Sequence, residues 1–220
     1  MDVVIAGGHG SIARHLGRML VERGDRVRGL IRKEEQRADL EQLGVEPVLL
    51  DLEADDVARY AEAIADADAV VFAAGAGPGS GPERKETVDY GGAAKLVAAA
   101  GQAGVGRYVI ISSMGAGAPP PEREDDDVFA VYLRAKAKAD EELMASDLDW
   151  TVLRPGRLTD DAGEGRVTLA PSVERGEVPR EDVAAVLVAI LDDDRTIGAV
   201  LEVVAGDTPV ADAVGEAVAR

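Results

Sequence analysis

The chain contains no cysteine, which excludes a disulfide framework, thiolate zinc sites and a thiol nucleophile together. It has only two histidines, and aromatic residues make up 3% of its length. Lysine is also scarce, five residues against nineteen arginines. No apolar run approaches the ~20 residues that a membrane span requires, and stretches such as 183–191 fall far short. No basic segment precedes an apolar run near the start, so the expectation is a cytoplasmic chain without a secretory signal. What is abundant is carboxylate: 42 acidic residues against 24 basic ones give a net charge of −18. A field of that sign disfavours phosphate backbones and anionic lipids, so neither nucleic acid nor membrane is an expected partner. A small-molecule substrate and a monomer or homodimer are expected instead.

Asp-rich, lysine-poor surfaces resemble those of proteins from salt-loving archaea, where dense carboxylate keeps a protein hydrated. A GC-rich genome is the competing source of this bias, but it does not by itself explain the acid excess, so a salt-adapted surface is the expectation.

With 220 residues, 46% of them hydrophobic, the chain is long enough to bury a core without staples. Short apolar runs at 3–6, 27–31, 45–50, 69–73, 107–111 and 149–153 read as strands. Amphipathic stretches at 11–23, 34–43, 55–64, 83–103 and 128–145 read as helices between them. This alternation predicts βαβ units and an α/β fold with a mostly parallel sheet covered on both faces. Beyond residue 155 the pattern loosens into a strand at 166–169, a helix with Pro179 as its first residue, a strand at 200–204 and a terminal helix. One domain is expected, residues 1–155 forming its core and 156–220 a small substrate-side or lid region. Residues 119–127 read as a mobile surface loop. Its run Asp125–Asp127 reads as solvated charge rather than a metal site, and nothing in the sequence pairs His9 and His15 as metal ligands.

The segment VVIAGGHGSIARHL places Gly7, Gly8, His9 and Gly10 between the first strand and the first helix, which Ser11 and Ile12 open. Glycine is needed where the chain turns sharply and where main chain must approach a pyrophosphate, and Ala13 allows close packing of helix on strand. Amides from Ser11 onward would face the phosphates. A tight turn without a ligand is the competing reading. The second strand runs into Arg32 and Lys33, not into an acid, and residues 23–37 hold six bases and three acids. A cation there suits a ribose 2′-phosphate, so NADP(H) is expected in preference to NAD(H). Solvated loop charges, with Glu34 or Glu35 reaching the ribose, are the alternative.

With IAGGHGSIA, LIRK, LLDLE, VVFAAGAG, TVDYGGAAKLVAAA, YVIISSMGA, YLRAK and WTVLRPGRL in this order, the chain resembles the atypical short-chain dehydrogenase/reductases of NmrA-like and NAD(P)-dependent-epimerase-like type. The resemblance implies a single doubly wound Rossmann-fold domain. It sets Asp51 and Leu52 along the adenine, Ala73, Ala74 and Gly75 at the ribose and phosphates, and Pro155 and Gly156 beside the nicotinamide. It implies a catalytic set of Ser113, Tyr132 and Lys136, with Ser112 adjacent. Four-residue spacing puts Tyr132 and Lys136 on one helix face, where the ammonium would ready the phenol for proton transfer. Asp89 stands where ordinary members carry Asn. A carboxylate accepts without donating, so it could anchor Lys136, hold a water-linked proton path or simply fix its helix. The implied activity is an oxidoreductase or epimerase acting on a small carbonyl or hydroxyl compound; the alternative is an NmrA-like redox sensor without turnover.

Overall fold

The computed structural model describes residues 1–77, 79–117 and 128–219. In chain order, β1 (Asp2–Ala6), α1 (Ser11–Arg23), β2 (Arg26–Ile31), α2 (Arg37–Glu41), β3 (Glu46–Leu49), α3 (Val57–Ile64) and β4 (Ala69–Phe72) form the first half. Next, α4 (Pro82–Arg84) passes through a π-helical stretch, Lys85–Gly92, into α5 (Ala93–Ala103), followed by β5 (Arg107–Ile111), α6 (Val128–Met144) and β6 (Asp149–Pro155). The last third carries β7 (Arg157–Thr159), β8 (Arg166–Ala170), β9 (Glu177–Pro179), α7 (Arg180–Leu191), β10 (Ala199–Ala205), β11 (Thr208–Pro209) and α8 (Val210–Ala217).

Nine strands make one sheet in the order β11-β8-β10-β6-β5-β4-β1-β2-β3. Its pairings are parallel except where β8 meets β10 and β11. This is the mostly parallel sheet that the alternation predicts, in the doubly wound arrangement that the resemblance implies. Side chains along β1 show why both faces are covered: Val3 and Ile5 enter one core with Leu16, Leu20 and Leu187, while Val4 and Ala6 enter the other with Tyr60, Leu96 and Tyr108. A strand buried on both faces must be apolar where it is buried, as this one is from Val3 to Ala6. Residues beyond 155 extend the same sheet through β8, β10 and β11.

Several boundaries differ from expectation for identifiable reasons. The helix expected at 34–43 is a 3₁₀ turn, Glu34–Gln36, leading into the short α2, and Gly44 ends it at φ +76°. The helix expected from residue 55 starts at Val57, because the Asp56 carboxylate accepts from Arg59 N and caps it. Pro179 is not the first residue of its helix. It closes β9, paired with Thr159, and its extended backbone makes it the cap before Arg180. Strands β7, β9 and β11 escape sequence reading because two or three residues cannot show alternation. The loop expected at 119–127, with Asp125–Asp127, lies outside the described residues. Among the described residues, no helix is long and apolar enough to cross a membrane.

One glycine is demanded by sheet packing rather than by a ligand. A Cβ at Gly8 would lie 2.7 Å from Gly29 Cα, and Gly8 N donates to Leu30 O at 2.9 Å. Main chain cannot yield as a side-chain tip can. Gly8→Ala is therefore expected to cost about 2 kcal/mol or more, of the size of an overpacked core. A melting temperature several degrees below the parent's would report it; an unchanged one would show that β2 moves aside freely.

Candidate functional site

The sheet order reverses around β1, whose neighbours are β2 and β4, and a crevice opens there at the strands' carboxyl ends. The glycine turn sits on it. Gly7 adopts φ +79°, and a Cβ there would lie 2.7 Å from Ala74 Cα. Gly10 N donates to Gly7 O at 2.9 Å, and Gly10 caps α1, whose first turn carries no acid. Bare main chain at a helix N-terminus, undiluted by carboxylate, suits a diphosphate.

Beside this turn lies a cavity of about 330 Å³, lined by Gly7, His9, Gly10, Arg32, Asp51, Leu52, Ala73, Ala74 and Gly75. The structure thus brings together most of the residues assigned to cofactor binding. His9 Nε2 pairs with Asp39 Oδ2 at 2.7 Å. The Asp51 carboxylate is engaged with Glu53 N and Ala54 N, holding the turn that sets Leu52 against the cavity. Six assigned residues are absent from this lining: Gly8, Ser11, Ile12, Lys33, Pro155 and Gly156. Lys33 instead pairs with Glu35 at 3.0 Å, Gly8 is packed on β2, and Ser11 opens α1 behind Gly10. Glu34 pairs with Arg37, so neither acid that stood as an alternative ribose partner lines the cavity.

Sequence reading overlooked Gln36, Glu53 and Arg84 in the same lining. Arg84 donates to Glu53 Oε2 at 2.8 Å, and Arg32 approaches the same oxygen at 3.7 Å. The Thr87 hydroxyl at 2.6 Å, then Arg84, hold the Glu53 carboxyl below its ordinary pKa. Two guanidiniums therefore converge at this end of the crevice. The visible signal was the basic pair Arg84–Lys85 in an acidic chain, directly after a glycine-rich segment.

Ala73, Ala74 and Gly75 are shared with a second cavity of about 660 Å³, which also takes in Ile12, Asp89, Ser112, Tyr132 and Lys136. Its floor is an ion pair. Lys136 Nζ lies 3.4 Å from Asp89 Oδ1 and donates to Ile111 O at 3.1 Å and Ala74 O at 3.4 Å. Both side chains are almost fully buried, Asp89 completely. Asp89 Oδ2 accepts from Ala76 N at 3.0 Å, which ties the glycine-rich segment to the π-helical stretch. Tyr132 stands one helical turn before Lys136, whose Nζ is 5.9 Å from its ring centre; Lys85 Nζ lies 5.3 Å from the same ring.

The two serines have separate surroundings. Ser112 is buried and donates to Asp140 Oδ2 at 2.8 Å, where Arg154 also donates at 2.9 Å. Burial raises the Asp140 carboxyl above its ordinary pKa, against the pull of Ser112 and Arg154. Ser113 faces a third cavity of about 730 Å³, together with Tyr132, Pro155 and Gly156. Pro155 and Gly156 thus border this third space and are not part of the second cavity's lining.

Residues 7–194 match the family described as NAD(P)H-binding. The chain belongs to that family. Its relatives include an uncharacterised sugar epimerase, YhfK, of Bacillus subtilis, 38% identical over 97% of this chain and 98% of that protein. Among solved structures, a Bacillus halodurans protein described as a NAD-dependent epimerase/dehydratase superposes with a TM-score of 0.91, at 36% identity, covering 98% of this chain and 99% of that one. The oxidoreductase ylbE of Lactococcus lactis gives 0.85 at 26% identity, over 98% and 96%. The turn's glycines are required by the chain's own main chain: any side chain at Gly7 would collide with the Ala74 main chain, and any at Gly10 would crowd Gly7 O at 3.2 Å.

Proposed function

We propose that this NAD(P)H-binding protein is an NADP(H)-dependent oxidoreductase or epimerase acting on a small carbonyl or hydroxyl compound. The observation that carries it is the junction of the two cavities at Ala73–Gly75. A pair of arginines stands at one end and Tyr132 with the Lys136–Asp89 pair at the other. The dinucleotide, when bound, supplies hydride chemistry at its nicotinamide. Gly7, Gly10 and the amides opening α1 would hold its phosphates, Leu52 would pack on the adenine, and Arg32 and Arg84 would meet the 2′-phosphate. Tyr132 gives or takes the proton at the substrate oxygen, and Ser113 donates a hydrogen bond to that oxygen as charge builds. Lys136, already satisfied by Asp89 and two carbonyls, places positive charge beneath the phenol without leaving its niche.

A second reading, a dinucleotide-binding sensor without turnover, draws on that same engagement of Lys136, which resembles a structural pair as much as a catalytic one.

Arg32→Gln tests the cofactor choice. Removing a charge-assisted bond of about 1.5–3 kcal/mol should weaken NADPH by tenfold or more. NADH, lacking the phosphate, should change less than threefold. Equal losses for both coenzymes, measured by fluorescence titration, would remove the arginine pair from the argument.

A further inference from the structure

The third cavity carries charge of the sign this chain has least of. Among the described residues its lining includes Arg157, Arg175 and Arg180 and no carboxylate, although acids outnumber bases 42 to 24 along the chain. Two of these arginines are neutralised locally. Arg157 pairs with Glu177, and Arg180 pairs with Asp160 at 2.7 Å. Arg175 has no carboxylate partner among the described residues, and its guanidinium lies 3.7 Å from where a Cβ at Gly115 would stand, against the turn that follows Ser113.

Its position is fixed by main chain. A Cβ at Gly156 would lie 2.4 Å from Gly176 O, so the segments carrying Arg157 and Arg175 run in direct contact, and Arg157 N donates to Gly176 O at 2.9 Å. The β7–β9 pairing continues that contact toward Arg180. Three guanidiniums thus converge on a concavity shared with Ser113 and Tyr132, and one of them keeps its full donor set.

We infer that the substrate carries an oxyanion, a carboxylate or a phosphate group, which Arg175 binds while the reacting carbon sits toward Tyr132 and Ser113. This rests on the reading of those two residues as the reacting end. A planar guanidinium matches both oxyanions bidentately, and in a field of −18 a locally positive cavity is also what would draw an anion in.

The test uses protein saturated with NADPH, so that the phosphate-binding turn is filled, at constant KCl. Benzoate, inorganic phosphate and the neutral benzamide are titrated calorimetrically into the parent and into Arg175→Gln. The expected result is binding of at least one oxyanion, tenfold or more tighter than benzamide. Arg175→Gln should weaken that oxyanion at least tenfold and leave NADPH affinity within twofold. Preference for benzoate assigns a carboxylate substrate, and preference for phosphate a phosphate ester. Equal affinity for benzamide and benzoate, no oxyanion binding, or undiminished binding by the variant overturns the inference. Should NADPH itself fail to bind, the dinucleotide reading falls instead, and benzoate titrated into the unliganded parent and variant still decides the role of Arg175.

Discussion

Tyr132→Phe should lower turnover by about 10²–10⁴-fold while leaving dinucleotide affinity within twofold. That range is what a positioned general acid contributes. The phenyl ring preserves the contacts that Tyr132 makes with Phe129, 6.0 Å away between ring centres, and with the ammonium groups of Lys85 and Lys136. Only the hydroxyl is lost, so the variant separates proton handling from packing. Coenzyme oxidation across carbonyl, sugar-nucleotide, quinone and flavin compounds is the measurement. A variant within threefold of its parent would place the proton elsewhere. A collapse of NADPH affinity would make Tyr132 a binding residue, and a parent inert toward every compound would favour the sensor.

The largest effect on stability is expected at Asp89. Its carboxylate is wholly buried, accepts from Ala76 N at 3.0 Å and faces Lys136 Nζ at 3.4 Å. Asp89→Asn keeps the shape and an acceptor for Ala76 but leaves the buried ammonium without a counter-charge. Removing one partner of such a pair costs about 3–5 kcal/mol. For a chain of 220 residues this corresponds to a fall of roughly 10 °C in melting temperature. A double variant, Asp89→Asn with Lys136→Met, should recover part of the loss, because it removes the orphaned charge as well. If the single variant melts within 2 °C of the parent, the ammonium finds compensation elsewhere and the pair is not what holds the floor of the cavity. The result bears on chemistry too, since the change installs the amide that ordinary short-chain dehydrogenases carry there.

The parts of the molecule that local pattern dictates could be read in advance. The apolar runs 3–6 in β1, 69–72 in β4 and 108–111 in β5 are buried on both faces and so show unbroken hydrophobicity. Gly7 and Gly10 announce themselves because only glycine tolerates their contacts, and Tyr132 and Lys136 because helical spacing aligns them. What could not be read depends on chain segments meeting in space. Arg32 comes from the end of β2, Glu53 from the turn after β3 and Arg84 from α4; no spacing rule links them. Lys33 and Arg32 look equivalent in sequence, yet only Arg32 lines the cavity, because Glu35 captures its neighbour. Lys85 and Asp89 belong to a π-helical stretch, which shares the polarity of an α-helix but widens its turn, so a 3.6-residue period does not report it. Arg175 was silent for a similar reason. Its meaning comes from Gly156 and Gly176 pressing two distant loops together.

Helix α7 lies directly on α1, the helix that opens at the glycine turn. Leu16 and Leu20 share a core with Val183 and Leu187, and Glu181 accepts from Arg18 at 2.9 Å. The same glutamate also holds Gly163 N at 3.1 Å, in the loop between β7 and β8. The last third is consequently no interchangeable cassette. A graft that brought in a foreign acceptor pocket with its own version of α7 would tilt α1 as well, and the recipient would lose grip on its coenzyme before gaining a new specificity.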